Sequence, residues 1–428
     1  MMHIFSRKSV TKKIKIQRIL NAPLLYVPLL KSIGEAPQPI VKVGDEVYKA
    51  QMIGEAPNDF SANVHAPVSG TIVDIKEHPL ADGILVQTII IKNDFEERVI
   101  QRPPFNISEL SAEDILSIIR NEGIVGEGGA QFPTVAKYEL TGGKVNTFII
   151  NGTECEPYLT ADYSLMAERT EKLFKGIAIA NRVLDASDIV ISIEEQNKEL
   201  SKVFEPFLQK PEYNNFRVAI LPNEYPQGGE LQLVKSITNV ELPRNKRPRE
   251  VGIIVSNVGT IYAIYKAVVE REPVISRIIT ISGEELINEG NYEIKIGTPV
   301  GHIIKELGIS TNNKTVVLGG PMMGKAVLDW SAPITKGSSG VLFFHKEKIK
   351  RDSCISCGYC VEVCPMNLMP MKFEENYRRG KYFNLEKYSI SSCIECAACE
   401  YACPSNVPLI ESIKEGKIKL KQLANAIQ

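Results

Sequence analysis

The sequence predicts a multidomain chain that joins α/β and α+β parts and ends in a small, cysteine-rich helical domain. Three observations carry that expectation. Short β-rich runs separated by Gly and Pro fill residues 25–92, and helical and β-rich runs alternate across residues 108–238. Eight of the nine cysteines crowd into residues 354–403. Alternating helices and strands indicate a largely parallel sheet. A chain of 428 residues is long for one core and corresponds to about three domains.

The bulk properties exclude several function classes. The chain is 44% hydrophobic and 24% charged, as an ordinary globular protein is. A formal net charge of −1 gives no field to attract nucleic acid or an anionic membrane. The longest apolar runs, such as 251–255 and 316–318, are strand-sized, and none approaches the roughly 20 residues that a spanning helix needs. Residues 1–10 are basic without an apolar stretch, so no secretory signal is expected there.

Taken in order, the elements read as follows. In residues 25–92 the pairs Gly44-Asp45 and Ser69-Gly70 mark turns between β-rich stretches. This part resembles the barrel-sandwich hybrid of biotinyl and lipoyl domains, but the modified lysine of those carriers has no match, so its role is expected to be structural. Leu110, Ile115, Leu116, Ile118 and Ile119 repeat at helical spacing over 108–122. Strands are expected at 147–150, 189–193 and 217–220, with helices at 165–184, 197–207 and 231–238. Residues 251–318 mix strands with two short helices. A strand at 341–344 precedes the cysteines, and 368–388 has helical character.

The cysteines form two copies of one spacing, Cys354-x2-Cys357-x2-Cys360-x3-Cys364-Pro365 and Cys393-x2-Cys396-x2-Cys399-x3-Cys403-Pro404. This run supplies thiolates to [4Fe–4S] clusters, and in two-cluster ferredoxins the fourth cysteine of each run ligates the other cluster. The expected sets are Cys354, Cys357, Cys360 and Cys403 for one cluster, and Cys393, Cys396, Cys399 and Cys364 for the other. Zinc is the rival, because Cys-x2-Cys pairs also close tetrahedral sites. Two identical four-cysteine runs favour iron–sulfur. The remaining cysteine, Cys155, is expected to be a small buried residue.

A second constellation begins at Gly123, where Gly123, Gly126, Gly128 and Gly129 fall within seven residues. Successive glycines let backbone N–H groups approach a phosphate. The loop is neither a Walker P-loop nor a dinucleotide fingerprint. Three segments join it: Asn151-Gly152-Thr153-Glu154-Cys155-Glu156-Pro157-Tyr158 after a strand end, Tyr225-Pro226-Gln227-Gly228-Gly229-Glu230 before a helix, and Val255-Ser256-Asn257-Val258-Gly259-Thr260 before another. Strand ends and helix starts are where α/β domains place ligand contacts, and Asn257 and Thr260 also suit helix caps.

With these motifs and the twin cysteine runs in the same order, the chain resembles the RnfC family, the peripheral subunit of the membrane-bound Rnf ferredoxin:NAD+ oxidoreductase. Its flavin part is similar to the NADH-oxidising flavoprotein subunit of respiratory complex I. The resemblance implies a barrel-sandwich hybrid over residues 1–104 and a Rossmann-like FMN- and NADH-binding α/β domain over 105–248. It further implies a β-grasp module of the soluble-ligand-binding kind over 249–333, then a linking strand and a dicluster ferredoxin domain over 334–428. By position, Gly126, Gly128, Gly129, Ala130 and Lys137 would surround the FMN phosphate and ribityl groups. Asn151, Glu154, Gly229, Glu230, Asn257 and Thr260 would contact the flavin, and Phe132 and Glu156 would face the nicotinamide. The chain departs from the family pattern at its start, Met1-Met2-His3-Ile4, and at Leu231.

The implied reaction is hydride exchange between NAD(H) and FMN, with single electrons passing through two [4Fe–4S] clusters. The implied partners are other Rnf-type subunits or a ferredoxin-like carrier, and the implied place is the cytoplasmic face of the membrane, with no transmembrane segment of its own and no nucleic acid bound. Two other readings stand beside it. One is a soluble RnfC-like reductase feeding another acceptor, such as proline reductase or cobalamin. The other is a ferredoxin-like binding scaffold without flavin.

Overall fold

The structure is a computed structural model that describes residues 1–139, 143–243 and 246–427. Its N-terminal part consists of two small antiparallel sheets. Leu24–Pro28, Leu85–Asn93, Gly70–Pro79 and Glu46–Val47 pair in that order, and Gln38–Pro39, Met52–Glu55 and Val64–His65 make the second sheet. Alternation along Leu24–Pro28 turns Leu25 and Val27 inward, onto Ile53, Ile72, Ile89 and Ile91. The turn expected at Gly44 forms: its φ of +94° lets the Gly44 N–H reach Ile72 O at 2.8 Å.

Four parallel strands organise the centre, in the order Phe216–Leu221, Asp188–Glu194, Thr147–Gly152, Ile253–Asn257. The sheet is covered on both faces, as parallel sheets are. Phe148 and Ile150 enter one core with Ile118 of helix Ala112–Asn121, Ile177 of Thr170–Leu184 and Ile261 of Val258–Tyr265. Ile149 faces the other way, onto Leu233 and Val234 of Glu230–Thr238. Full burial of each such side chain is worth roughly 1.5–3 kcal/mol. The strands' C-terminal ends therefore carry Asn151, Gly152 and Asn257 to one edge.

Three expectations change. The first helix starts at Ala112 and not at 108, because Ser111 and Asp114 form a capping box: Asp114 N–H donates to Ser111 Oγ at 3.1 Å and Ser111 N–H to Asp114 Oδ2 at 2.9 Å. The helix expected at 165–184 is two helices, Ala161–Glu168 and Thr170–Leu184, parted at Arg169. The domain limits also move. Ile253–Asn257 pairs with Thr147–Gly152, so the central sheet crosses the expected 248/249 boundary.

The 333/334 boundary is crossed as well. A six-stranded mixed sheet runs Gln17–Arg18, Gly290–Lys295, Ser276–Gly283, Gly340–His345, Lys314–Leu318, Lys325–Ala326. Gly340–His345 was expected as a linker. It is an inner strand because Val341 and Phe343 complete the core made by Ile279, Ile281, Ile294 and Ile303.

In the C-terminal part, helices Pro370–Arg378, Phe383–Lys387 and Leu409–Ile427 gather Phe373, Leu385, Ile390 and Ile413. No described helix is long and apolar enough to cross a membrane.

Candidate functional site

Four loops meet at the C-terminal edge of the parallel sheet, and the side chains expected to touch a flavin lock them together. Asn151 Nδ2 donates to Gly228 O at 2.9 Å, while its Oδ1 accepts from Thr153 N–H at 3.0 Å. Asn257 caps its helix by accepting from Gly259 N–H at 2.8 Å, and its Nδ2 donates to Asp162 Oδ2 at 2.7 Å. Thr260 Oγ1 accepts from the Glu127 N–H at 2.9 Å, tying the glycine loop to the same helix. Gly228 fits so closely that an added Cβ would lie 2.3 Å from Thr153 O. By contrast nothing lies within 4 Å of a Cβ at Gly129, whose φ is +105°. The loop thus offers an open, side-chain-free face bordered by Asn257, which fits a phosphate-bearing group.

The glycine loop is also held from behind. Arg277, on the strand Ser276–Gly283, donates through Nη1 to Glu127 O at 3.0 Å and Lys336 O at 2.8 Å, and pairs with Glu127 Oε2 at 2.9 Å. Lys336 Nζ donates to Gly123 O and to Asn63 O, both at 2.7 Å. Burial pushes Lys336 down to about 7, and lifts Glu127 above the ordinary carboxylate range against the pull of Arg277. A carboxylate in the glycine loop is thereby turned inward onto a guanidinium.

The remaining expected residues separate. Lys137 Nζ pairs with Glu230 Oε1 at 2.6 Å at the exposed rim. Phe132 is half-buried, its carbonyl accepting from Gly126 N–H at 2.7 Å. Glu156 reaches into the six-stranded part, where its carboxylate accepts from Met322 N–H at 3.0 Å and Met323 N–H at 2.9 Å. Burial raises it to about 6. Glu154 is buried, with its carboxylate accepting from Asp162 N–H at 3.2 Å and Tyr163 N–H at 3.4 Å. Burial and then the nearby Asp162 raise it to about 8.

The cysteines fall into two groups of four around two cavities. Cys354, Cys357, Cys360 and Cys403 line one, among Ile355, Met371 and Leu409. Cys364, Cys393, Cys396 and Cys399 line the other, among Met366, Phe373 and Ile410. The two runs fold to one backbone pattern. Ser356 and Glu395, Gly358 and Ala397, and Asn367 and Asn406 occupy equivalent positions, and all six have positive φ. Leu368 N–H donates to Cys364 Sγ and Val407 N–H to Cys403 Sγ, each at 3.4 Å. No disulfide joins any of the nine cysteines, and among the described residues no three or more His, Cys, Asp or Glu converge as one metal ion requires. Four thiols spread around an apolar cavity with N–H···S bonds fit a cubane cluster.

The second cysteine group abuts the flavin-side loops. Tyr225 Oη donates to Cys396 O at 2.7 Å, and Gln232 Nε2 donates to Met366 Sδ at 3.3 Å. Tyr225, Cys396 and Ala398 form a small core with Cys155, Met2 and Ile4. Gly228 N–H donates to Cys155 Sγ at 3.4 Å, and burial pushes that thiol up to about 12. Cys354 and Cys357 are exposed. Sequence reasoning missed Asp162, Arg277 and Lys336. Each stands alone in its segment and carries no spacing signal.

These features define a chain that couples a flavin-binding α/β domain to a ferredoxin-like pair of clusters. Comparison agrees domain by domain: residues 2–96 match the RnfC Barrel sandwich hybrid domain, 119–266 the Nuo51 FMN-binding domain and 353–407 the 4Fe-4S dicluster domain. The chain belongs to the RnfC family. It is 37% identical over 433 residues to the C subunit of the ion-translocating oxidoreductase complex of Rhodobacter capsulatus, covering 98% of this chain and 82% of that one.

It is 39% identical over 353 residues to the C subunit of the proton-translocating ferredoxin:NAD(+) oxidoreductase complex of Clostridium ljungdahlii, covering 81% and 77%. With the C subunit of the ion-translocating oxidoreductase complex of Haemophilus influenzae (strain PittEE) it shares 36% identity over 420 residues, covering 95% of this chain and 64% of that one. The chain spans only about half to two-thirds of the Haemophilus relatives' length. In fold it is similar to a chain of an NAD+-reducing [NiFe]-hydrogenase in the H2-reduced state, with a TM-score of 0.51 at 19% identity, covering 75% of this chain and 63% of that one.

Proposed function

We propose that this chain is the peripheral C subunit of an Rnf-type ferredoxin:NAD+ oxidoreductase, passing electrons between NAD(H), FMN and two [4Fe–4S] clusters on the cytoplasmic face of a membrane complex. Its partners in this reading are the other subunits or a ferredoxin-like carrier. The observation that carries it is the junction at Tyr225, where a loop of the FMN-binding domain donates a hydrogen bond to Cys396 O. When bound, FMN supplies the conversion between two-electron hydride transfer and single-electron transfer.

In this reading Gly126, Gly128, Gly129 and Ala130 present backbone N–H groups to the phosphate, with Lys137 beside them. Asn151, Glu154, Gly229, Glu230, Asn257 and Thr260 shape the flavin cradle. Phe132 and Glu156 border the nicotinamide, with Glu156 oriented by the Met322 and Met323 amides. The ligands of one cluster are Cys354, Cys357, Cys360 and Cys403, and those of the other Cys364, Cys393, Cys396 and Cys399. The second set stands nearer the flavin cradle, so it comes first in the electron path, and the set with exposed Cys354 and Cys357 faces the acceptor. The six-stranded part is read as a β-grasp element of the soluble-ligand-binding kind, bracing the cradle through Arg277.

The test is anaerobic cluster spectroscopy after NADH addition. Cys354→Ala is expected to lose about half of the cluster iron and to keep one NADH-reducible cluster. Cys396→Ala is expected to keep NADH bleaching of the flavin while the remaining cluster stays oxidised. Reduction of that cluster at the wild-type rate would refute the order.

A further inference from the structure

Oxidising NADH through one-electron carriers leaves a proton over: NADH → NAD+ + H+ + 2e−. The C4–H bond breaks, each cluster takes one electron, and the proton must reach solvent. The cradle is walled by the glycine loop and its three partner loops. Beneath it lie two cavities. The inner one is lined by Glu127, Asp162, Gly259, Ser276 and Arg277. The outer one opens at the surface around Arg169, Lys172, Glu270 and Glu272. Tyr262, Lys266 and Glu293 wall both cavities.

Across that shared wall runs a hydrogen-bond chain. Lys266 Nζ donates to Glu272 Oε1 at 2.9 Å and to Ser276 Oγ at 3.2 Å, and Ser276 Oγ donates to Glu293 Oε1 at 3.2 Å. The inner wall holds a buried donor, Arg277 Nε, with no partner among the described residues. Arg277 is only 5% exposed. An unmatched buried donor beside polar side chains calls for water. At the flavin end, Asp162 Oδ2 accepts from Asn257 Nδ2, and the Asp162 N–H donates to Glu154.

Among the described residues neither Asp162 nor Glu154 has a Lys or Arg nitrogen within 4.0 Å of its carboxylate. The neighbouring charges are already engaged. Arg277 pairs with Glu127 and Arg18 with Glu293, while Lys8 Nζ donates to the Glu154 carbonyl and pairs with Glu194.

We propose that Asp162 and the two cavities behind it form a proton path between the flavin cradle and the surface around Lys172 and Glu272. Asp162 and Glu154 hold one proton between them at neutral pH, because burial of the two carboxyls outweighs the pull of Lys8 and Arg277. The raised value of Glu154, about 8, agrees. The path serves either direction of electron flow. It rests on the NADH–FMN reading above.

Two measurements test it. The flavin-free wild-type protein at pH 7 is expected to show the infrared carbonyl band of a buried protonated carboxyl. Asp162→Asn is expected to weaken that band, because Glu154 then loses the neighbouring carboxyl that adds to its burial. In the FMN-loaded protein mixed with NADH and a pH indicator, the ratio of the proton-release rate to the flavin-bleaching rate is expected to fall at least tenfold in Asp162→Asn, with formate restoring it. A wild-type protein without the band, or an unchanged ratio in Asp162→Asn, overturns the path. A wild-type protein that binds FMN but is not bleached by NADH overturns the reading of function instead, and the infrared band still decides the carboxyl pair.

Discussion

Replacing Arg277 by Met isolates what holds the glycine loop in place. The guanidinium is 5% exposed and its partner Glu127 8%. One Nη1 serves Glu127 Oε2, Glu127 O and Lys336 O, at 2.9, 3.0 and 2.8 Å. Removing one partner of such a buried pair leaves the other charge uncompensated, which costs about 3–5 kcal/mol. Glu127 escapes part of that cost by taking up a proton, so the loss is expected to sit at the lower end below pH 7 and to grow as pH rises. The Glu127 backbone belongs to the glycine loop proposed to face the phosphate, and freeing it is expected to weaken FMN binding at least tenfold, about 1.4 kcal/mol.

The assay is denaturant unfolding followed by CD, with FMN release monitored in parallel, because a multidomain chain need not unfold in one step. Glu127→Gln added to Arg277→Met removes the stranded charge and is expected to recover at least half of the lost stability. A cost below about 1 kcal/mol for Arg277→Met, or no recovery in the double variant, would refute the clamp.

Two further outcomes follow from the same geometry. Burial lifts Glu156 from 4.5 to about 6. Its folded value lies above its unfolded one, so its contribution to stability is complete below about pH 4.5 and is lost as pH rises through about 6, a change of about 2 kcal/mol. Glu156→Gln is expected to flatten the Tm–pH profile across that window, and an unaltered slope would count against it. Gly228→Ala places a Cβ 2.3 Å from Thr153 O and 3.3 Å from Cys155 Sγ. The backbone must shift, at a cost of about 1–3 kcal/mol. FMN content per chain after anaerobic purification is expected to drop, and full occupancy would contradict the close fit.

What could be read from sequence divides along physical lines. The runs Thr147–Ile150 and Arg217–Ile220 were legible because β-branched and aromatic side chains concentrate there, and both lie inside observed strands. The boundaries at 249 and 334 were not. Ile253–Asn257 finds its parallel partner about a hundred residues upstream, and Gly340–His345 pairs with Ser276–Gly283. No local pattern names a distant partner. The cysteine spacing was legible to the residue, and the structure adds the paired left-handed positions at Gly358 and Ala397. The cradle motifs were legible as segments but not as side-chain roles, since Asn257 and Thr260 serve as cap and loop tether at once. Arg277 and Lys336 look, in sequence, like any solvated cation, and only burial reveals them.

The position of those two cations explains why this cradle requires the whole chain. A buried charge pair seldom adds net stability over an apolar one of equal volume. Arg277 and Lys336 are therefore poorly accounted for as stabilisers. They are better accounted for as conditions. Lys336 Nζ bridges Gly123 O at the start of the glycine loop and Asn63 O of the N-terminal β part, while itself belonging to the segment that leads into Gly340–His345. Arg277 adds a strand of the six-stranded sheet to the same loop. An unassembled chain would leave Glu127 and both cations either solvated or stranded, and the loop free. Docking of all three parts satisfies every one of these groups except Arg277 Nε. The conformation of the glycine loop is thus coupled to domain assembly, and Arg277 Nε is left unmatched in a residue that lines the inner cavity.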